Sequence, residues 1–534
     1  MQTDIEYPQC SVCEMFLASC QKYPQDTAIE YFGAKISYSK LKEYVDACAK
    51  SLLSLGCREG EHIAVILPNI PQAAILFYAA SRIGAVADMI HPLSAVKEFD
   101  FYIKNSDIRF VFAVDLLVEK ISFLSELTEV IILVSPAQFL PAPLKIASSF
   151  KAPKHAFSTF EKFLKRGEKS DINLENRPFT DSKKPCALLY TGGTTGDSKG
   201  VLLSSDNFNC CALEAIKSCG CLERGDRVLT VLPVFHGFGL GVCIHTVMVF
   251  GGICDMVPKF KVREFEKLIL KHRPQVVAAV PALYHAMVTN DIAGADLSFL
   301  KCVISGGDML PVKLQRDMNA LLSKHNSKLK IRQGYGLAEC LSGVCLMPEG
   351  CEAENCLGLP YPDNEFKIDG AKNLGDDGEI LISSPVVMLG YHNNPEQTDM
   401  AITIDEAGKR WLHTGDMGHM DEEGLVYFKC RIKNIIVSNG YDIYPGPVED
   451  VIRQVKNVAD CAVVGIPDED RGEIAKAFIV LKNKDNSEQT LDEVKGLLEN
   501  SISHFSIPRQ YQIIDSLPRT KIGKVDTQIL KTFK

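Results

Sequence analysis

Between Leu188 and Gly200 an apolar run, Leu188-Leu189-Tyr190, feeds the stretch Thr191-Gly192-Gly193-Thr194-Thr195-Gly196, and Lys199 follows. Glycines let a backbone turn tightly and come close to a ligand. Successive N–H groups in such a loop form an anion nest, threonine hydroxyls add donors, and the lysine adds a compact positive charge. The object this set suits is a polyphosphate. It is not a P-loop, because no Lys-Ser/Thr pair directly follows the second glycine, and it is not a dinucleotide fingerprint. Further along, glycines again alternate with chemically capable side chains. These stretches are Pro233-Val234-Phe235-His236-Gly237-Phe238-Gly239, Gly334-Tyr335-Gly336-Leu337-Ala338-Glu339 and His413-Thr414-Gly415-Asp416, then Arg431-Ile432-Lys433 and Pro518-Arg519-Thr520-Lys521-Ile522-Gly523-Lys524.

These stretches need a frame to bring them together. A hairpin with Gly33 at its turn is expected within Ala28–Tyr38. From His62 onward strand and helix alternate: strands at His62–Leu67, Val86–Ile90, Ile108–Val114 and Val130–Val134, and a helix opened by Pro71 and closed by Gly84. A Pro-, Lys- and Ser-rich connector is expected over Pro141–Lys184. A second α/β unit follows, with strands at Gln275–Val280, Lys301–Ser305 and Lys330–Gln333 and helices at Val262–His272, Ala282–Thr289 and Pro311–Ser323. In doubly wound sheets, ligands sit outside the carboxyl ends of the strands. The glycine loops at Gly192, Gly306 and Gly334 take that position. After Glu349 short strands at Glu365–Ile368, Glu379–Ser383 and Leu425–Lys429 suggest a small β-barrel-like unit. A compact α+β pattern closes the chain, with an Asn439-Gly440 turn.

The totals exclude some partners. The chain has 534 residues, enough for several structural units, and 46% of them are hydrophobic, which fits a folded globular protein. A net charge of −9 disfavours a nucleic-acid binder, so an anionic ligand must be held by local donors. The acidic N-terminal segment does not read as a signal peptide, and the 19 cysteines are expected as cytosolic thiols. Cys10-x-x-Cys13 has no matching second pair. Val228–Val257 is nearly free of charge, but Pro233 and several glycines interrupt it, so it reads as buried core and not as a membrane span.

In their order and over most of the length, from about Thr27 to Lys531, these motifs resemble the adenylate-forming superfamily. That family includes acyl-CoA synthetases, firefly luciferase and the adenylation domains of peptide synthetases. The resemblance implies an α/β enzyme with a large N-terminal domain, residues 1–430, built of two α/β sheet subdomains and the β unit. A small mobile α+β domain, residues 431–534, would turn about Lys433. It implies ATP, Mg²⁺ and coenzyme A. Thr191 to Gly196 and Lys199 would hold the β- and γ-phosphates, and Glu339 with Thr191 would hold the metal. Tyr335 would stack on adenine, with the backbone of Gly306, Gly307 and Asp308 at the ring and Gly334, Gly336, Leu337 and Ala338 along the nucleotide. Asp416 and Arg431 would take the ribose. Lys524 would bridge the acid's carboxylate and the α-phosphate. His236 would gate an acid pocket walled by Phe238 and Val280, and Gly440 would leave room for a pantetheine tunnel.

Three positions depart from the family pattern. Ala338 stands where a threonine is usual, Ser198 replaces a proline, and Gly192 replaces a serine or threonine. The Thr-Gly-Gly form resembles long-chain fatty acyl-CoA synthetases. None of these changes removes a charged group, so activity is expected. A medium- or long-chain fatty acid is the first expectation for the substrate, and an aryl or cinnamic-type acid the second. The acceptor is CoA or, alternatively, a carrier protein's phosphopantetheine. A luciferase-type oxygenase and a non-catalytic acyl or nucleotide binder are the remote alternatives. The chain is expected in the cytoplasm as a monomer or homodimer with no transmembrane segment, and a peripheral membrane contact is compatible with it.

Overall fold

Continuous Val/Ile/Ala runs leave strands apolar on both faces, so they must be covered on both sides. The structure, a computed structural model, describes residues 5–142, 144–145, 157–175, 181–191, 198–290, 292, 294–439, 441–468, 471–520 and 524–533. In the first sheet the strands Val86–Met89, His62–Ile66, Phe110–Val114 and Val130–Val134 run parallel. The strand Pro185–Thr191 joins them in parallel next to Val86–Met89. The helix Pro71–Ile83 begins with its proline and ends on Gly84 at φ 75°, as the sequence predicts.

Two features of this sheet differ from expectation. Lys199–Ser204 is itself a strand, antiparallel to Pro185–Thr191, and Lys199 opens it. The expected connector contains a helix, Phe160–Glu168, capped by the Thr159 hydroxyl. Its Phe160, Phe163 and Leu164 are buried, so this segment belongs to the core. A methyl group on Gly167 would stand 1.8 Å from Ala47 O of the helix Tyr38–Ser54, which shows how closely the two helices meet.

The second sheet is 14-stranded among the described residues. Its parallel centre contains Ile253–Met256, Arg227–Thr230, Val276–Ala279, Cys302–Ser305 and Arg332–Tyr335. One edge ends in the expected hairpin, Thr27–Tyr31 with Ala34–Ser37. The other continues through Cys345–Leu346 and Cys356–Pro360 into Val426–Arg431, Arg410–Met420, Gly378–Ser383 and Glu365–Asp369. The β unit is therefore an extension of this sheet and, among the described residues, not a closed barrel. Its strand Val426–Arg431 runs past residue 430, which ties Arg431 to the large domain. The uncharged stretch folds as strand, π-helix Phe238–Thr246, helix Val247–Phe250 and strand, packed inside the domain. No helix among the described residues is long and apolar enough to cross a membrane.

The smaller C-terminal domain has its own sheet, five-stranded among the described residues, in which Val458–Asp468 and Gly472–Leu481 pair over most of their length. The helices Pro445–Ile452 and Ser487–Ser501 cover it and share its core. All 19 cysteines, including Cys10 and Cys13, are free thiols.

Candidate active site

The strands of the second sheet end at one wide cleft of about 2600 Å³, which the C-terminal domain also lines. Asp416 and Arg431 are direct cross-strand partners. Asp416 is 1% exposed, and its Oδ1 lies 3.1 Å from Arg431 Nε. Its Oδ2 accepts a 2.7 Å hydrogen bond from the Tyr335 hydroxyl. Among the described residues Oδ1 has no hydrogen-bond partner despite the ion pair, so the corner holds a buried acceptor with capacity for a donor. Burial raises the Asp416 carboxyl above its ordinary value, and Arg431, Tyr335 and Lys524 oppose that rise.

Two glycines make the surrounding loops fit. A methyl group on Gly336 would stand 1.1 Å from Ser342 O, and one on Gly237 would stand 1.4 Å from Leu341 O. Only a bare backbone allows the loop after Tyr335 to fold back against the segment that carries His236.

Lys524 comes to the same cleft from the far end of the chain. Burial lowers its ammonium, while the carboxylates of Asp308, Asp416 and Glu339 favour the charged form. Asp308 is the largest of these carboxylate influences, whereas the sequence suggested only a backbone role for it. The docked domain is held in part by Lys313 Nζ, which donates to Arg453 O at 3.2 Å. Lys433 lies in the cleft on the short helical turn Ile432–Asn434, directly after the last strand of the large domain.

His236 lines both the cleft and a smaller cavity of about 60 Å³. Its Nδ1 accepts the Phe238 N–H at 3.2 Å, which places the ring proton on Nε2. Burial, with Lys524 nearby, pushes its pKa down to about 4. The imidazole is therefore neutral at pH 7 and can donate from Nε2. The kcat/KM profile is expected to stay free of a histidine inflection near pH 6.5 and to fall only toward pH 4 on this account. A pH–rate profile of the wild type beside His236→Gln checks it; an inflection near 6.5 that the variant loses would contradict the neutral assignment.

The cavity is apolar. Phe238, Val242, Thr246 and Phe250 follow one another along one wall, four residues apart across the π-helix and the α-helical turn that continues it. The Thr246 hydroxyl is spent on Gly241 O at 3.0 Å. Val276 and Ala278 form the facing wall, because strand alternation turns Val277 and Ala279 to the other core. Val280 lies in the cleft, 3.4 Å from the methyl position of Gly307, and does not line the cavity.

Thr191, Lys199 and Glu339 also line the cleft. The Thr191 hydroxyl donates to Lys199 O at 3.3 Å. Glu339 Oε1 accepts a 2.8 Å hydrogen bond from the Tyr391 hydroxyl. The Lys199 ammonium lies 4.8 Å from the centroid of the same tyrosine ring and donates to Gln397 Oε1. Ala338 sits beside Glu339 in the cleft wall and offers no hydroxyl. Gly192, Gly193, Thr194, Thr195, Gly196 and Gly440 lie outside the described residues.

Comparison with known proteins identifies the family. The family profile described as AMP-binding enzyme matches residues 16–392, and the AMP-binding enzyme C-terminal domain matches residues 447–524. The chain belongs to the AMP-binding enzyme family. A long-chain-fatty-acid–CoA ligase of Bacillus subtilis is 29% identical, over 98% of this chain and 94% of that protein. A 4-coumarate–CoA ligase-like protein of Arabidopsis thaliana is 30% identical, over 92% of this chain and 85% of that one. The fold is shared with a solved anthranilate CoA ligase in complex with anthranoyl-AMP, with a TM-score of 0.85 at 21% identity, over 99% of this chain and 98% of that one.

Within this AMP-binding enzyme, the motifs written far apart in sequence do converge: Thr191, Lys199, His236, Glu339, Asp416, Arg431 and Lys524 share one cleft. Sequence reasoning missed Tyr391 and Gln397. The only signal for them was a Gly-Tyr pair ahead of a capped helix, which carries no charge pattern.

Proposed function

We propose that this AMP-binding enzyme is an ATP-dependent acid–thiol ligase that joins an apolar monocarboxylic acid to coenzyme A through an acyl-adenylate. The observation that carries the reading is the meeting at His236 of an apolar cavity and a cleft lined by Asp416, Arg431 and Lys524. A carboxylate attacking the α-phosphate of ATP brings two anions together, so catalysis must neutralise charge and hold the partners in line. In this reading the acid's tail fills the cavity and its carboxylate meets His236 Nε2–H and Lys524. The carboxylate oxygen bonds to the α-phosphorus as pyrophosphate leaves. Asp416 Oδ1, the acceptor without a donor, takes a ribose hydroxyl, and Tyr335 offers its ring to adenine beside Gly306 and Gly307. Lys199 and the Thr/Gly loop hold the departing phosphates.

Magnesium suits the oxygen donors Glu339 and Thr191, since it prefers few protein oxygens plus phosphate oxygens. When bound it would neutralise phosphate charge. Glu339 keeps lone pairs for it, because Tyr391 takes only part of one oxygen's capacity. Transfer of the acyl group to the thiol requires Lys524 to leave, and a rotation at Lys433 between residues 1–430 and 431–534 would remove it. CoA is favoured over a carrier protein because both curated relatives are named CoA ligases.

Cavity size bears on the acid. About 60 Å³ admits roughly four to six water-sized spheres, which suits a medium chain or one aromatic ring. The aryl reading has its own support in the rings of Phe238 and Phe250 along the wall and in the 4-coumarate-type relative. Leu222 and Phe250 border the cavity, and Leu222→Ala or Phe250→Ala should raise kcat/KM about tenfold for acids longer by roughly two methylenes. Thioester formation measured over a panel of fatty and aryl acids, with CoA and with a carrier protein as acceptors, tests the whole reading. Formation of CoA thioesters from apolar acids supports it, and no thioester from any acid would sink it.

A further inference from the structure

The phosphate end of the cleft has two charged groups that the sequence does not connect, Glu339 and Lys199. One side chain touches both. Tyr391 lies on the short edge strand Gly390–Tyr391, antiparallel to Lys199–Ser204, with Tyr391 opposite Val201. Lys199 is two residues from Val201, on the same face, so the tyrosine ring comes beneath its ammonium. The phenol then reaches Glu339 Oε1 at 2.8 Å, while the ring centroid stays 4.8 Å from Lys199 Nζ.

The tyrosine itself is held. Its N–H donates to Thr398 Oγ1 at 2.9 Å. Gly390, at φ 156°, lies so close to Thr398 that a methyl group would stand 2.8 Å from its Cγ2. Thr398 belongs to the helix Pro395–Ala401, which the Asn394 side chain caps. That helix also supplies Gln397, the carboxamide that receives Lys199. One rigid segment thus fixes a carboxylate through a phenol and an ammonium through a ring and an amide.

We propose that Tyr391 is a positioning residue for the phosphate end of the site, setting the Glu339 carboxylate for a divalent cation and the Lys199 ammonium for the phosphates beside it. The proposal rests on the reading of Glu339 as the magnesium-binding carboxylate. Hydrogen-bond partners of a metal-binding carboxylate orient it, and their loss costs about 10- to 100-fold in metal affinity.

Calorimetric binding of ATP to the full-length enzyme without acid substrate, over a magnesium series and in EDTA, tests this without turnover. Tyr391→Phe keeps the ring over Lys199 and removes the hydroxyl. It should weaken the magnesium-dependent part of ATP binding about tenfold and leave binding in EDTA unchanged. In a Glu339→Gln background the same change should have no further effect, because the phenol acts through that carboxylate. Equal weakening with and without magnesium, or the same loss in both backgrounds, would show a merely structural tyrosine and overturn the proposal. Wild-type binding by Tyr391→Phe, with Glu339→Gln impaired, would overturn it and leave the Glu339 reading intact. Wild-type magnesium dependence in Glu339→Gln would remove that reading and the proposal together.

Discussion

Lys524→Ala will lower acid-dependent pyrophosphate release by roughly 10²- to 10³-fold, while a presynthesised acyl-AMP is still converted to thioester near the wild-type rate. The magnitude is that of removing one preorganised group aimed at developing charge in a site screened from water. Lys524 fits that description: burial lowers its ammonium, and the carboxylates of Asp308, Asp416 and Glu339 favour the charged form. It lines the same cleft as His236, which also borders the cavity, and Arg431, which pairs with Asp416. Melting temperature should change little, since the C-terminal domain has its own core and a separate docking contact at Lys313 and Arg453. Equal loss of both half-reactions would contradict the role given to this lysine.

Asp416→Ala will weaken ATP binding by roughly 10²-fold, about 3 kcal/mol, the scale of one charge-assisted hydrogen bond or two weaker ones. Two effects compete in this variant. Breaking a buried ion pair costs about 3–5 kcal/mol when the surviving charge stays buried. Here the survivor, Arg431, is 37% exposed and can turn to water, so the stability cost falls well below that range. The Tyr335 hydroxyl loses its acceptor inside the protein, which adds a smaller penalty. The expectation is therefore a binding defect larger than the folding defect. Calorimetry with ATP and thermal melting separate them. A variant that binds ATP normally would remove Asp416 from the ribose site. Asp416→Asn, which keeps one acceptor, should fall between the two.

Much of the frame was legible because local chemistry fixed it. Pro71 and Gly84 bracket their helix for reasons of φ alone, and the parallel strands follow uninterrupted apolar runs. The cleft was legible from motif order, and its residues do meet. The remainder depended on partners distant in the chain. The helix Phe160–Glu168 lies in a polar-looking segment, and only its packing on Tyr38–Ser54 shows that Phe160 and Phe163 are core. Val280 was expected as a pocket wall; the strand ends at Ala279, so Val280 already belongs to the turn into the helix Pro281–Thr289 and lines the cleft, while Val276 and Ala278 line the cavity. The β unit looked separate because glycine turns surround it, whereas backbone pairing joins it to the large sheet. Tyr391 carries no charge and no motif signal; its meaning comes from the edge-strand register that sets it beneath Lys199.

The central claim is that a carboxylate oxygen attacks the α-phosphate of ATP in this cleft. An acid labelled with ¹⁸O in its carboxylate, turned over once with ATP and CoA and followed by mass spectrometry, tests it most directly. The account predicts one ¹⁸O in AMP, unlabelled pyrophosphate and a thioester that keeps the other label. Label in inorganic phosphate with ADP as the nucleotide product, or thioester formed with no label in AMP, would contradict it.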